Sequence, residues 1–238
     1  MLYSKKGNFI FVANPKTGTT AFQKSVKTID DSARINTFPN KYRDIKIPGH
    51  ATAQRIKELI GNDYESSKKI CFVRNPYEKV VSAYFFLING KPLVHGSVFN
   101  YNKNINVFLK ALKTQLTILL AKTLPFEIWS MLYTYKKNLD YVLDERGKFL
   151  INYICRTEVI DEDLKFVFDS IDYEKKDLFN LNKINKSKHD AAEKYFSKKW
   201  HKKLFDRKYK NEIKFYNSLK NNYHTDLIGK DVSFLYID

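Results

Sequence analysis

At 238 residues and 43% hydrophobic composition, the chain can bury a core and suits one large domain, or a domain with insertions. Lys and Arg outnumber Asp and Glu by 42 to 26, a net charge of +16, which points to an anionic partner such as nucleic acid, a membrane surface, an acidic polymer or a polyphosphate ligand; a compositional bias toward Lys and Asn is the other source of such a charge. The only two cysteines, Cys71 and Cys155, sit in apolar runs and read as buried thiols, which excludes a disulfide framework; no apolar run has the length of a membrane span and residues 1–8 lack a secretory leader's form, so a soluble cytoplasmic protein is expected.

The first predicted strand covers residues 8–13 and runs straight into Asn14-Pro15-Lys16-Thr17-Gly18-Thr19-Thr20. A helix follows over residues 19–28, with Ala21, Phe22, Ser25, Val26 and Ile29 sharing a face. Strand, tight loop and helix in this order aim backbone amides and a helix N-terminus at an anion, here with Lys16 at the mouth. A purely structural strand-to-helix turn has the same pattern. An ordinary Mg²⁺-nucleotide loop does not fit, because its Lys follows the second Gly, whereas Lys16 precedes Gly18 by two residues.

Residues 30–46 read as polar loop with a short strand at the end. Pro48-Gly49-His50 is a turn, and residues 51–60 form a helix closed by Gly61-Asn62. A second buried strand over residues 70–73 ends at Arg74-Asn75-Pro76, and a helix over residues 77–88 carries Ser82 in its second turn. Strand, loop and helix therefore occur twice, each with a Pro at the junction. This predicts an α/β fold with a central parallel sheet flanked by helices and ligand loops at the strand C-terminal ends. Arg74 and Ser82 can together hold a second phosphate, although an Arg at a strand end is commonly an ion-pair partner.

Residues 89–106 read as a surface loop. Residues 107–135 are helical and apolar, broken at Pro125 and interrupted by Lys110, Lys113 and Lys122. A core-packed helix is the preferred reading there, over an amphipathic helix on a membrane surface. A third strand over residues 149–155 ends in Arg156-Thr157-Glu158, followed by a helix over residues 161–170. Residues 183–222, mostly helical by period, hold 13 Lys and Arg against 4 Asp and Glu.

The two junctions resemble those of the sulfotransferases that use 3′-phosphoadenosine 5′-phosphosulfate, in the carbohydrate-type branch. Pro15-Lys16-Thr17-Gly18-Thr19-Thr20 is similar to that family's 5′-phosphosulfate loop, and Val73-Arg74-Asn75-Pro76 through Ser82-Ala83-Tyr84 to its 3′-phosphate motif. The resemblance continues at Gly49-His50-Ala51-Thr52-Ala53, at Arg156-Thr157-Glu158 and at Asn185-Lys186-Ser187-Lys188-His189, and covers most of the chain outside residues 89–148. This chain departs from the family in its compact first loop, in having Lys79 where Arg is common, and in lacking the Golgi relatives' membrane anchor.

The resemblance implies a single P-loop-like domain over residues 1–238. Residues 89–148 would be an insertion shaping the acceptor site. Sulfuryl transfer would run to a hydroxyl, most readily that of a saccharide, with the net charge pointing to an anionic one, and without a metal. Pro15, Lys16, Thr17, Gly18, Thr19 and Thr20 would hold the phosphosulfate, with Lys16 stabilising the leaving group. Arg74 and Ser82 would hold the 3′-phosphate, and Lys186, Ser187 and Lys188 would close over the nucleotide. His50 is the expected base, with His95 as second candidate. Arg156 and Glu158 would be substrate contacts or, preferably, an internal ion pair. Two other readings stay open: a kinase with an altered phosphate loop, which requires Mg²⁺-ATP and a strand-end Asp, and a nucleic-acid-binding module built on the basic C-terminal helix.

Overall fold

The computed structural model describes residues 1–89, 105–181, 189–219 and 227–232, and only the backbone of residues 105–108, 110 and 111. In chain order the elements are β1 (Leu2–Ser4), β2 (Phe9–Val12), α1 (Thr19–Ile29), β3 (Arg34–Ile35), β4 (Thr37–Phe38), β5 (Ile45–Lys46), α2 (Ala53–Ile60), α3 (Asp63–Ser66), β6 (Lys68–Val73), α4 (Pro76–Asn89), α5 (Ile105–Thr123), α6 (Phe126–Leu132), α7 (Leu139–Val142), β7 (Tyr153–Arg156), α8 (Ile160–Ser170), α9 (Ala192–Tyr195), α10 (Lys199–Lys208) and α11 (Lys210–Ser218). They form two compact units, one of Met1–Pro76, Lys136–Lys186 and Lys210–Asp238, the other of Tyr77–Tyr135 and Ser187–Tyr209.

The first unit is a mixed α/β layer structure around a five-stranded sheet of order β3-β1-β2-β6-β7. β2, β6 and β7 are parallel neighbours, with Val12 opposite Cys71 and Val73 opposite Arg156. β1 runs antiparallel to both β2 and β3. Period-two alternation feeds both faces, as expected of parallel strands covered by helices on each side. Ile10, Val12, Cys71, Val73 and Ile154 face a core shared with α2 and α11. Phe9, Phe11, Ile70, Phe72 and Cys155 face the opposite core, shared with α1 and α8. There Phe11, Phe22 and Phe72 meet with ring centroids 4.4 to 4.8 Å apart. Each such pair adds about 1 kcal/mol beyond its buried area. This cluster holds α1 beneath the strand that precedes it, which fixes where the helix N-terminus lies.

The predicted strands need two corrections. They do not include β1, in which Leu2 is fully buried and Ser4 Oγ donates to the Asp30 carboxylate at 2.5 Å. Three residues are too few to show a period. The third strand is shorter than residues 149–155, because the main chain before Tyr153 is diverted: Leu150 N–H donates to Val142 O, and Phe149 N–H to Lys230 O.

The second unit is helical, and aromatic contacts among α6, α9 and α10 hold it together. Phe196 stacks on His201 at 4.6 Å and Trp129 on Tyr133 at 4.4 Å. His201 is fully buried, shares a 2.7 Å hydrogen bond between Nε2 and Ser130 Oγ, and has no well-formed partner at Nδ1. A small part of the basic charge here is paired, Lys198 with Glu127 and Lys202 with Asp206, and Lys208 donates to the Met131 and Tyr133 carbonyls. No helix among the described residues is long and apolar enough to cross a membrane.

Candidate anion-binding site

Because β2, β6 and β7 are parallel, the loops leaving them emerge along one edge of the sheet in the first unit. The loop after β2 turns sharply. Lys16 has φ 65° and Gly18 φ 78°, two left-handed residues in three. Gly18 suits this conformation for lack of a Cβ, whereas Lys16 adopts it at a cost of roughly 1 kcal/mol. Thr17 is buried, and its hydroxyl donates to Asn14 O at 2.8 Å, which closes the turn. Gly18 is the N-cap of α1, where there is no side-chain cap hydrogen bond and no acidic residue in the first turn. Helix N-terminal amides left in that state favour an anion.

The second junction is built onto the first. Arg74 Nη1 donates to Lys16 O at 3.3 Å, so its guanidinium lies against the first loop. Burial, and then the nearby Arg74 charge, lower the Lys16 ammonium from 10.5 to about 8. An anion in this place would offset both causes.

Three buried polar residues hold the junctions together. Asn14 Nδ2 donates to Phe72 O and to Asn138 Oδ1, each at 2.9 Å. Asn138 Nδ2 donates to Arg74 O at 2.9 Å, and Asn138 N–H donates to the buried Glu212 carboxylate. Asn14 and Asn138 are both fully buried. Sequence reading missed Asn138 and Glu212, which lie far along the chain from either loop and carry no motif. The buried Asn between an apolar strand and Pro15 was the one available signal.

His50 also joins this edge. It has φ 60°, and Nδ1 lies 2.8 Å from Ala13 O, the residue just before the loop. A carbonyl only accepts, so Nδ1 carries the proton and Nε2 keeps its lone pair, as a general base requires. His50 does not cap α2; Thr52 does, accepting from Arg55 N–H at 3.1 Å. Of the five non-glycine residues with positive φ among the described residues, three are Asn or Asp, which tolerate it as His does. The other two are Lys16 and His50.

Arg156 and Glu158 are structural, and they do not pair with each other. Arg156 forms a bidentate pair with Asp163, with Nη2 at 2.7 Å and Nε at 3.0 Å. Glu158 accepts from Asn75 N–H at 2.9 Å and from Tyr216 Oη at 2.6 Å, while Thr157 Oγ1 donates to Val73 O. Both residues thus brace the end of β6 and β7. Burial and the Glu158 carboxylate raise the Tyr216 hydroxyl well above its ordinary range.

The structure brings Pro15, Lys16, Thr17, Gly18, Thr19 and Thr20 together with His50 and Arg74. Ser82 lies on α4 in the second unit and is 3% exposed. His95 and Lys186, Ser187 and Lys188 lie outside the described residues. A cavity of about 310 Å³ between α8 and residues 176–181, with Phe168 and Phe179 in its walls, includes none of the predicted site residues. Among the described residues no group of three His, Cys, Asp or Glu is placed to hold a metal ion. Comparisons with protein-family models, with curated proteins and with solved structures returned no match.

Proposed function

We propose that this chain is a sulfotransferase that moves the sulfuryl group of 3′-phosphoadenosine 5′-phosphosulfate to an acceptor hydroxyl, on a saccharide, through a P-loop-like site. The observation that carries the reading is the joining of two cationic junctions at neighbouring strand ends, with Arg74 Nη1 on Lys16 O and His50 fixed to Ala13 O. A donor with two separated anionic groups matches two such junctions. Lys16 and the amides at the start of α1 would take the phosphosulfate and the charge that grows on the leaving phosphate oxygen. Arg74 would take the 3′-phosphate. In the transfer the acceptor oxygen bonds to sulfur, the bond from sulfur to the bridging phosphate oxygen breaks, and the acceptor proton passes to His50 Nε2.

The nucleic-acid reading leaves the joined junctions at Lys16 and Arg74 without a role. The test is sulfur-labelled donor incubated with a panel of neutral and anionic glycans. Label transfer that disappears in Lys16→Ala supports the reading. Transfer of phosphate from Mg²⁺-ATP, with none from the sulfate donor, would overturn it.

A further inference from the structure

The solvent face of α5 is apolar. Leu109, Leu112, Leu116 and Leu119 recur at spacings of three, four and three, which puts them on one helical face. They are 52 to 57% exposed, while Ile118 and Ala121, on the opposite side, are buried. At 1.5 Å per residue the stripe is about 15 Å long. Between Ile105 and Thr123 there is no Asp or Glu, but there are three lysines, Lys110, Lys113 and Lys122. Lys113 and Lys122 are exposed, and the helical period sets them on the two sides of the stripe.

We propose that α5 docks this face on an anionic lipid surface, its leucines entering the acyl boundary and its lysines meeting headgroup phosphates. Charge selects this occupant. The leucine stripe is flanked by Lys113 and Lys122 with no carboxylate on the helix, so it complements an apolar surface bordered by anions, while the opposite side of the helix is taken up by packing. Pairing the stripe with that of a second copy would set lysine against lysine. The preference for a core-packed helix over residues 107–135 therefore holds for one side of α5 only.

The test is sedimentation of the full chain with vesicles of phosphatidylcholine alone, and with about 30 mol% phosphatidylserine. The protein should bind the anionic vesicles, and binding should weaken as salt approaches roughly 0.5 M. Leu112→Asp combined with Leu116→Asp should weaken it by roughly tenfold or more, and Lys113→Glu with Lys122→Glu should weaken it too. Absence of binding, or equal binding by the leucine variant, would overturn the proposal. So would a dimer in solution that the leucine variant converts to a monomer, which would assign the face to a second copy. A marked fall in the leucine variant's melting temperature would also overturn it, because the face would then be covered by the chain itself.

Discussion

The charge state of Lys16 gives a prediction that depends on both halves of the site. In the folded chain its ammonium titrates at about 8 instead of 10.5, because it is half-buried and faces Arg74. At ~1.4 kcal/mol per pH unit that difference is about 3 kcal/mol against protonation, and solvent screening at the half-exposed head group brings it nearer to about 2 kcal/mol. The sign follows from linkage. Between about pH 8 and 10.5 the unfolded chain holds a proton that the folded chain has released, so the unliganded protein gains stability as pH rises through that window. A bound anion favours the ammonium and reverses this. At about pH 9, binding of 3′-phosphoadenosine 5′-phosphate should therefore take up close to one proton, and affinity should fall by up to roughly tenfold per pH unit above 8. Calorimetry in buffers of different ionisation enthalpy counts that proton. Lys16→Arg, which stays charged, should bind without proton uptake and with a flat profile. Affinity independent of pH up to about 10 in the wild type, with no proton taken up, would refute the reasoning.

Three further outcomes follow from the geometry. Asn138→Ala removes one acceptor of the Asn14 amide and the side-chain donor to Arg74 O in a buried network, so urea unfolding should show a loss of about 2–4 kcal/mol, and a loss below about 0.5 kcal/mol would show that the network does not join the junctions. His50→Gly removes one hydrogen bond and relieves a left-handed side chain, so stability should stay within about 1 kcal/mol of wild type while turnover is lost and nucleotide affinity is kept; retained turnover would give the base to another residue. Burial lowers the His201 imidazole below its ordinary 6.5, against a smaller opposing pull from Glu127, so the folded form resists protonation and stability falls as pH drops through about 6.5. His201→Phe should remove that part of the acid dependence in thermal melts, and an unchanged profile would contradict it.

The parallel strands β2 and β6 and the first loop were legible because Phe9–Val12 and residues 70–73 are short apolar runs followed closely by Asn14-Pro15 and Arg74-Asn75-Pro76. Helix α1 followed from its period and α8 from the chain after Arg156-Thr157-Glu158, whereas the tight loop was legible without its left-handed residues. What stayed hidden has a common cause. β1 buries only Leu2 and Ser4, too few residues to form a pattern. Asn138 and Glu212 act through contacts 64 or more positions away in sequence, and a buried Asn looks like a surface Asn until the fold is known. Arg156 and Glu158 read as an ion pair, and their actual partners Asp163 and Tyr216 were not legible. The resemblance names a function for Lys16, Arg74 and His50.

The most direct test of the central claim is titration calorimetry of 3′-phosphoadenosine 5′-phosphate into the full chain near neutral pH. One site with micromolar affinity is expected, lost in both Lys16→Ala and Arg74→Ala while each variant keeps its cooperative melt. Absence of heat at millimolar nucleotide, or binding unchanged in both variants, would contradict the account.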